Sequence, residues 1–212
     1  MGTRCIFRGK YTICDMKTDW NDSMNERAVS AMKEFLEALG LDLTKSGMER
    51  TPERVAEMYG TLFDGVGKGT DDIWGETFTV DSPTDGLVAV RNIPFYSMCE
   101  HHLVPFFGEV NLVYLPSPGN VAGFSKFTRL VERISHRPQL QERMTAQIAE
   151  AIEKGLKAEG VMVMTEARQL CMMMREDSAH GTRTMTNAVL GKFRENPVLR
   201  EQAMALLLQR RK

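Results

Sequence analysis

Cys99 and His102 stand at the spacing Cys-x-x-His within the stretch Phe95-Tyr-Ser-Met-Cys-Glu-His-His-Leu103. A thiolate and an imidazole at that spacing reach one metal ion from a single tight turn or strand end. The chain has 4 histidines and 4 cysteines, and two of the former and one of the latter fall in this stretch. A structural zinc site closes its shell with four protein ligands, whereas a catalytic one keeps a position for water. Cys5 and Cys14 lie near the N-terminus, where chains are usually poorly ordered, and His136 and His180 are isolated. Cys171 is the remaining soft donor. With it the shell would be Cys99, His102, Cys171 and a water, a donor set that favours zinc over magnesium or calcium. Without it, Cys171 is a small buried hydrophobe and the spacing is coincidence.

Cys171 belongs to the run Val161 to Arg175, which reads as a long, mostly buried strand. Its period of two would put Gln169, Cys171, Met173 and Arg175 on one face. Arg175 has a planar fork suited to phosphate, or is a strand-end arginine in solvent. Ser125, Lys126 and Arg129 open a helix whose free N–H groups and dipole make either an anion site or an ordinary solvated turn. Gln141 and Glu142 follow Arg137-Pro138 in the first turn of another helix. A glutamate there is favourable with the dipole and needs no function. A buried carboxylate is also what accepts the adjacent N–H donors of a guanine edge.

The elements that must position these residues follow from period and punctuation. Val29, Met32, Phe35, Leu36 and Leu39 recur at helical spacing before Gly40. Thr51-Pro-Glu-Arg54 is a helix start with Thr51 as N-cap. Residues 76–82, 87–93 and 108–115 read as strands, the last with Val110, Leu112 and Tyr114 on one face and Asn111, Val113 and Leu115 on the other. Ser125 caps a helix carrying Phe127, Leu130, Val131 and Ile134. Pro138 opens the longest helix, with Leu140, Met144, Ile148, Ile152 and Leu156 as its stripe. After the strand 161–175 come a polar loop, 176–183, and a final segment ending in a helix over 197–210. Strands and helices are grouped, so an α+β fold with an antiparallel sheet is expected. Residues 1–23 are expected to form an N-terminal arm, and 24–212 a single domain with a helical part (24–70) and a sheet-bearing core (76–212).

At 212 residues, 42% hydrophobic and 26% charged, the composition is that of a globular domain. A net charge of −1 gives no electrostatic case for nucleic-acid or membrane binding. No apolar run approaches a membrane span. Few cysteines, some of them suited to a metal, point to a reducing, cytoplasmic setting. The run Met172 to Met174 is expected to be adaptable core filler.

Three longer stretches carry a resemblance: FYSMCEHHLVPFFGEV, GFSKFTRLVERISHRPQLQERMT and EARQLCMMMR. They, and TPERVAEMY nearer the N-terminus, resemble the GTP cyclohydrolase I family over roughly residues 25–205. The resemblance implies a tunnelling fold, an antiparallel sheet backed by helices, assembled as a homodecamer with sites at subunit interfaces. By matching position it implies zinc on Cys99, His102 and Cys171, and His101 as a proton-transfer residue. Glu142, with Gln141 beside it, would hold the guanine of GTP. Ser125, Lys126, Arg129 and Arg175 would surround the ribose and triphosphate, with Arg54 arriving from a neighbouring subunit. The implied reaction opens the imidazole ring of GTP, releases C8 as formate and recloses the ring as 7,8-dihydroneopterin triphosphate.

The chain departs from the pattern where the family has a histidine two residues before the second zinc cysteine. It has Gln169, which hydrogen-bonds but cannot shuttle a proton. Losing one acid–base group typically costs about 10²–10⁴-fold. Glu176-Asp177 would repel phosphate unless turned away or bridged by a cation. His180 is either a partial replacement for the missing imidazole or a surface loop residue. Three functions remain open: a working cyclohydrolase, a diverged one that stops at the ring-opened formamide or takes another purine, and a non-catalytic nucleotide-binding relative.

Overall fold

The structure, a computed structural model, describes residues 5–8, 11–14, 22–45, 47–75, 78, 86–117, 120–175 and 181–208, with 5–8, 11–14 and 22–24 by backbone alone. They group into two compact units, Met1–Asp64 and Gly65–Lys212.

In the first unit, the stretch without a sequence period holds an antiparallel pair, β1 (Cys5–Arg8) and β2 (Tyr11–Cys14). Two helices follow, α1 (Asp22–Ala38) and α2 (Thr51–Leu62). Gly40 stops α1 as expected, at a φ of +82° that costs glycine little. Val29, Met32 and Leu36 are half-buried, while Phe35 and Leu39 remain 57% and 63% exposed. The N-cap of α2 is Arg50 rather than Thr51, whose hydroxyl turns back to the Met48 sulfur at 3.7 Å. Pro52 takes the expected first-turn place, and Arg54 is exposed.

The second unit is built on a five-stranded sheet in the order β5-β3-β4-β6-β7. Its strands are β3 (Val88–Cys99), β4 (Pro105–Leu115), β5 (Pro138–Gln139), β6 (Gly160–Gln169) and β7 (Thr184–Gly191). All pairings are antiparallel except that β5 runs parallel to β3, so the sheet is mixed. The helices are α3 (Asp71–Trp74), α4 (Ser125–Ser135), α5 (Gln141–Leu156), α6 (Leu170–Met173), α7 (Lys192–Glu195) and α8 (Pro197–Leu208). The fold is α+β, consistent with a tunnelling fold.

Helices α4 and α5 cover the inner face. Val110, Leu112 and Tyr114 of β4 pack there in one cluster with Phe127, Leu130 and Ile134 and with Met144, Ile148, Ile152 and Leu156, none more than 1% exposed. Each such side chain contributes about 1.5–3 kcal/mol on burial, so this stripe holds α5 on the sheet. The opposite face of β4 and β6 packs Val113 and Met162 under Phe193, Ala203 and Leu207. Gly108 lets β4 and β6 close: a Cβ there would stand 1.9 Å from the Glu166 carbonyl oxygen.

Several expectations are corrected. The run Val161 to Arg175 is not one strand, because β6 ends at Gln169 and the chain turns into α6. Pro138 does not open a helix; it starts β5, and α5 begins at Gln141 with Leu140 as N-cap. At 16 residues α5 is also shorter than α1 with 17. Ser125 is the first residue of α4 rather than its cap, which is Phe124. No residue of α6 is buried, and Met174 is 71% exposed, so the methionine run is not core filler. The final segment contains the strand β7. Of residues 76–82, only Phe78 is described, in a bridge to Val121.

Candidate active site

The turn between β3 and β4 carries the Cys-x-x-His pair. The N–H groups of His102 and Leu103 both donate to the Cys99 carbonyl, at 3.3 and 2.8 Å, and Cys99 N–H donates to the Val104 carbonyl at 2.9 Å. Leu103 closes the turn at a φ of +51°, in the left-handed region that side chains rarely adopt. The reversal brings His102 Nδ1 to 3.9 Å from Cys99 Sγ. Parallel pairing with β5 braces this end from the side, with Glu100 N–H donating to the Gln139 carbonyl at 3.1 Å.

Cys171 reaches the same place from α6. Its sulfur, Cys99 Sγ and a His102 ring nitrogen all lie within 4.8 Å of one another. Bonds of about 2.0–2.3 Å span most of that separation. The set of two thiols and one imidazole is that of a tetrahedral site with an open fourth position, so these three residues could hold a metal. Cys99 is buried and Cys171 half-buried. Burial, and then the neighbouring Cys99 sulfur, push the Cys171 thiol above its ordinary value.

Arg175 follows α6 and places Nη1 3.1 Å from His102 Nε2. It arrives through a helical turn and not on a strand face shared with Cys171. His101 is exposed beside the cluster, its Nε2 4.0 Å from a Glu100 carboxylate oxygen. The Glu100 carboxylate also pairs with Arg143, which donates to Gln139 Oε1 at 2.9 Å and the Pro138 carbonyl at 3.1 Å. This brace ties the Cys-x-x-His turn to the start of α5.

Gln169 ends β6, and its amide nitrogen donates to Gln141 Oε1 at 2.8 Å and to Thr184 Oγ1 at 3.4 Å. Gln141 is 4% exposed. Its own amide nitrogen donates to the Thr165 and Thr184 carbonyls at 3.0 and 3.1 Å. Its oxygen accepts from Thr184 Oγ1 at 2.5 Å as well as from Gln169. All four hydrogen-bonding positions of the Gln141 amide are therefore taken by protein. Thr145 extends the network, donating to the Gln141 carbonyl at 2.7 Å and meeting the Thr165 and Thr186 hydroxyls at 3.0 and 2.6 Å. Glu142, next in α5, is exposed and not the buried carboxylate envisaged from sequence.

Ser125 and Arg129 are exposed on the first turns of α4 and Lys126 is half-buried there. No described hydrogen bond joins Ser125 or Arg129 to the cluster. Arg54 belongs to the first unit. Glu176, Asp177 and His180 lie outside the described residues. Thr184, Glu100 and Arg143 were not singled out from sequence. They are ordinary polar residue types whose partners come from distant elements.

Residues 28–208 match the model of the family described as GTP cyclohydrolase I. The chain is 47% identical over 179 residues to the GTP cyclohydrolase 1 of Desulforamulus reducens, covering 84% of this chain and 95% of that protein. It is 43% identical over 185 residues to the enzyme of the same name from Streptococcus suis, covering 87% and 98%. To that of Streptococcus pyogenes it is 44% identical over 193 residues, covering 91% and 98%.

Proposed function

Because the chain belongs to the GTP cyclohydrolase I family, we propose that it hydrolytically opens the imidazole ring of GTP with the help of zinc, giving 7,8-dihydroneopterin triphosphate and formate. The observation that carries this reading is the convergence of Cys99, His102 and Cys171, with Arg175 against the same imidazole. Zinc bound by this set supplies Lewis-acid activation of a water near neutral pH.

The chain's own residues do the rest. Cys99 is fixed by the hairpin turn and His102 is aimed by it. His101, exposed at the lip beside the Glu100 carboxylate, takes and returns protons during ring opening. Glu142 accepts the paired N–H donors of the guanine edge. Gln141 supports from beneath, since its amide is saturated. Arg175 neutralises triphosphate charge.

Ser125, Lys126 and Arg129 complete the ribose and triphosphate site, with Arg54 arriving from a neighbouring copy in a homo-oligomer, a decamer. Supporting this assembly, Tyr96, Met174 and Met185 are 63%, 71% and 57% exposed in the single chain. Tyr96 stacks on Phe107 with ring centroids 5.8 Å apart, on the sheet face away from α5. The free thiols suit a reducing compartment such as the cytoplasm, and among the described residues no helix is long and apolar enough to cross a membrane.

One observation favours a second reading, a diverged enzyme that stops at the ring-opened formamide or takes another purine. Gln169 has no transferable proton, and both its N–H groups are committed to protein. A purely nucleotide-binding role is less well supported, because the three metal donors are retained.

The test incubates zinc-loaded protein with GTP and follows formate release and pterin fluorescence together. Both signals are expected. Ring-opened formamide without formate would establish the truncated form of the second reading, and unchanged GTP would overturn the first and leave another purine substrate or a binding role.

A further inference from the structure

The hydrogen-bond polarity around Gln169 is dictated by backbone. The Thr165 and Thr184 carbonyls can only accept, so the Gln141 group facing them is its NH2. Gln141 Oε1 must then face the other way, and whatever meets it must donate. Gln169 therefore turns its own NH2 to Gln141 and Thr184, and its Oε1 is left over. Among the described residues that oxygen has no hydrogen-bond partner, and it is not among the buried atoms left unsatisfied. It is open to a ligand, two residues before Cys171.

We propose that Gln141 and Thr184 are positioning residues that fix Gln169 as an acceptor-only contact for an O–H or N–H of the bound purine. The inference rests on the GTP-opening reading and adds a consequence to it. The imidazole nitrogen N7 of intact guanine is itself an acceptor and is no partner for Oε1. Once water has added to C8, that edge carries an O–H and an N–H. Gln169 then meets a donor that exists only along the reaction, which is the kind of contact that favours the later state over the substrate. The residue is selective without transferring a proton.

The experiment measures binding of two unreactive probes to zinc-loaded protein by calorimetry. An 8-oxo-guanosine triphosphate carries a proton on N7, and a 7-deaza-guanosine triphosphate has C–H there and neither donor nor acceptor. Gln169→Leu is expected to weaken the 8-oxo probe by roughly fivefold to tenfold, the worth of one hydrogen bond, and to leave the 7-deaza probe unchanged. Thr184→Val should act in the same direction by about threefold, and Thr184→Ser, which restores the hydroxyl, should bind like the parent. Adding Thr184→Val to Gln169→Leu should cost nothing more, because a residue acting only through Gln169 has nothing left to position. An unchanged 8-oxo affinity in Gln169→Leu overturns the inference, as does a Thr184→Val loss that adds in full to it. If the parent binds neither probe and leaves GTP intact, the cyclohydrolase reading falls and takes this inference with it. If the parent turns over GTP but Gln169→Leu shows no selective loss, the inference alone falls.

Discussion

Arg175 places its guanidinium 3.1 Å from His102 Nε2, on the ring edge opposite the nitrogen that faces the Cys99 sulfur. A guanidinium only donates, so in the metal-free chain Nε2 accepts and Nδ1 carries the ring proton. A metal held through Nδ1 would reverse this, because Nε2 would then bear the proton and face a second donor. Metal loading is expected to release Arg175 towards anions. Inorganic triphosphate should bind metal-loaded protein about tenfold more tightly than metal-free protein, in line with one charge-assisted hydrogen bond. Arg175→Gln should remove most of that difference. If the variant keeps it, the metal's own charge is responsible and the His102 contact is not.

Removing a ligand tests the cluster directly. Cys171→Ser and His102→Ala should each lower bound zinc from about one ion per chain to a fraction of that after dialysis against a weak chelator. Metal analysis measures this without reference to activity. Full retention in Cys171→Ser would remove Cys171 from the shell.

The raised Cys171 thiol gives a stability signature with a defined sign. An unfolded thiol ionises at about pH 8.5, and the folded one higher. Below the unfolded value the contribution is fully present. As pH climbs through the window between the two values, the unfolded state loses its proton first and stability falls. Thermal unfolding of the metal-free protein should therefore come at lower temperature as pH is raised from about 8 to 10. Cys171→Ala should flatten that slope.

Gln169→His restores a titrating group where the network demands a donor on the Gln141 side and leaves a lone pair on the other. Pterin formation should rise by about 10²–10⁴-fold if proton transfer limits the parent. No rise, with GTP still bound, would mean that the pocket is organised for a reaction that does not need the imidazole. Product analysis of parent and variant side by side decides between them.

Much of this was legible in the sequence, and the failures have physical causes. The α5 stripe and the β4 alternation were readable because burial follows their periods closely, as at Ile148, Ile152, Val110 and Leu112. The closeness of Cys99 and His102 was readable because one turn carries both side chains. The end of β6 was hidden because Leu170 to Met174 is uniformly apolar, and such a run fits a strand or a helical turn equally. Strand β7 was hidden because its polarity is inverted. Thr184 and Thr186 face inward to the Gln141–Thr145 network, while Met185 is 57% exposed. The Gln169 network itself joins α5, β6 and β7, and no local spacing announces such a set.

The saturated Gln141 amide also limits how this site can change over generations. Replacing Gln141 alone would remove bonds to two carbonyls, a threonine hydroxyl and Gln169 at once, so drift there is expected to be punished before any gain in chemistry is seen. Position 169 is freer. Its side chain gives two N–H bonds inward, to Gln141 Oε1 and Thr184 Oγ1, and an imidazole could supply the first of them. A change to histidine would keep the contact to Gln141 and give up the longer one to Thr184.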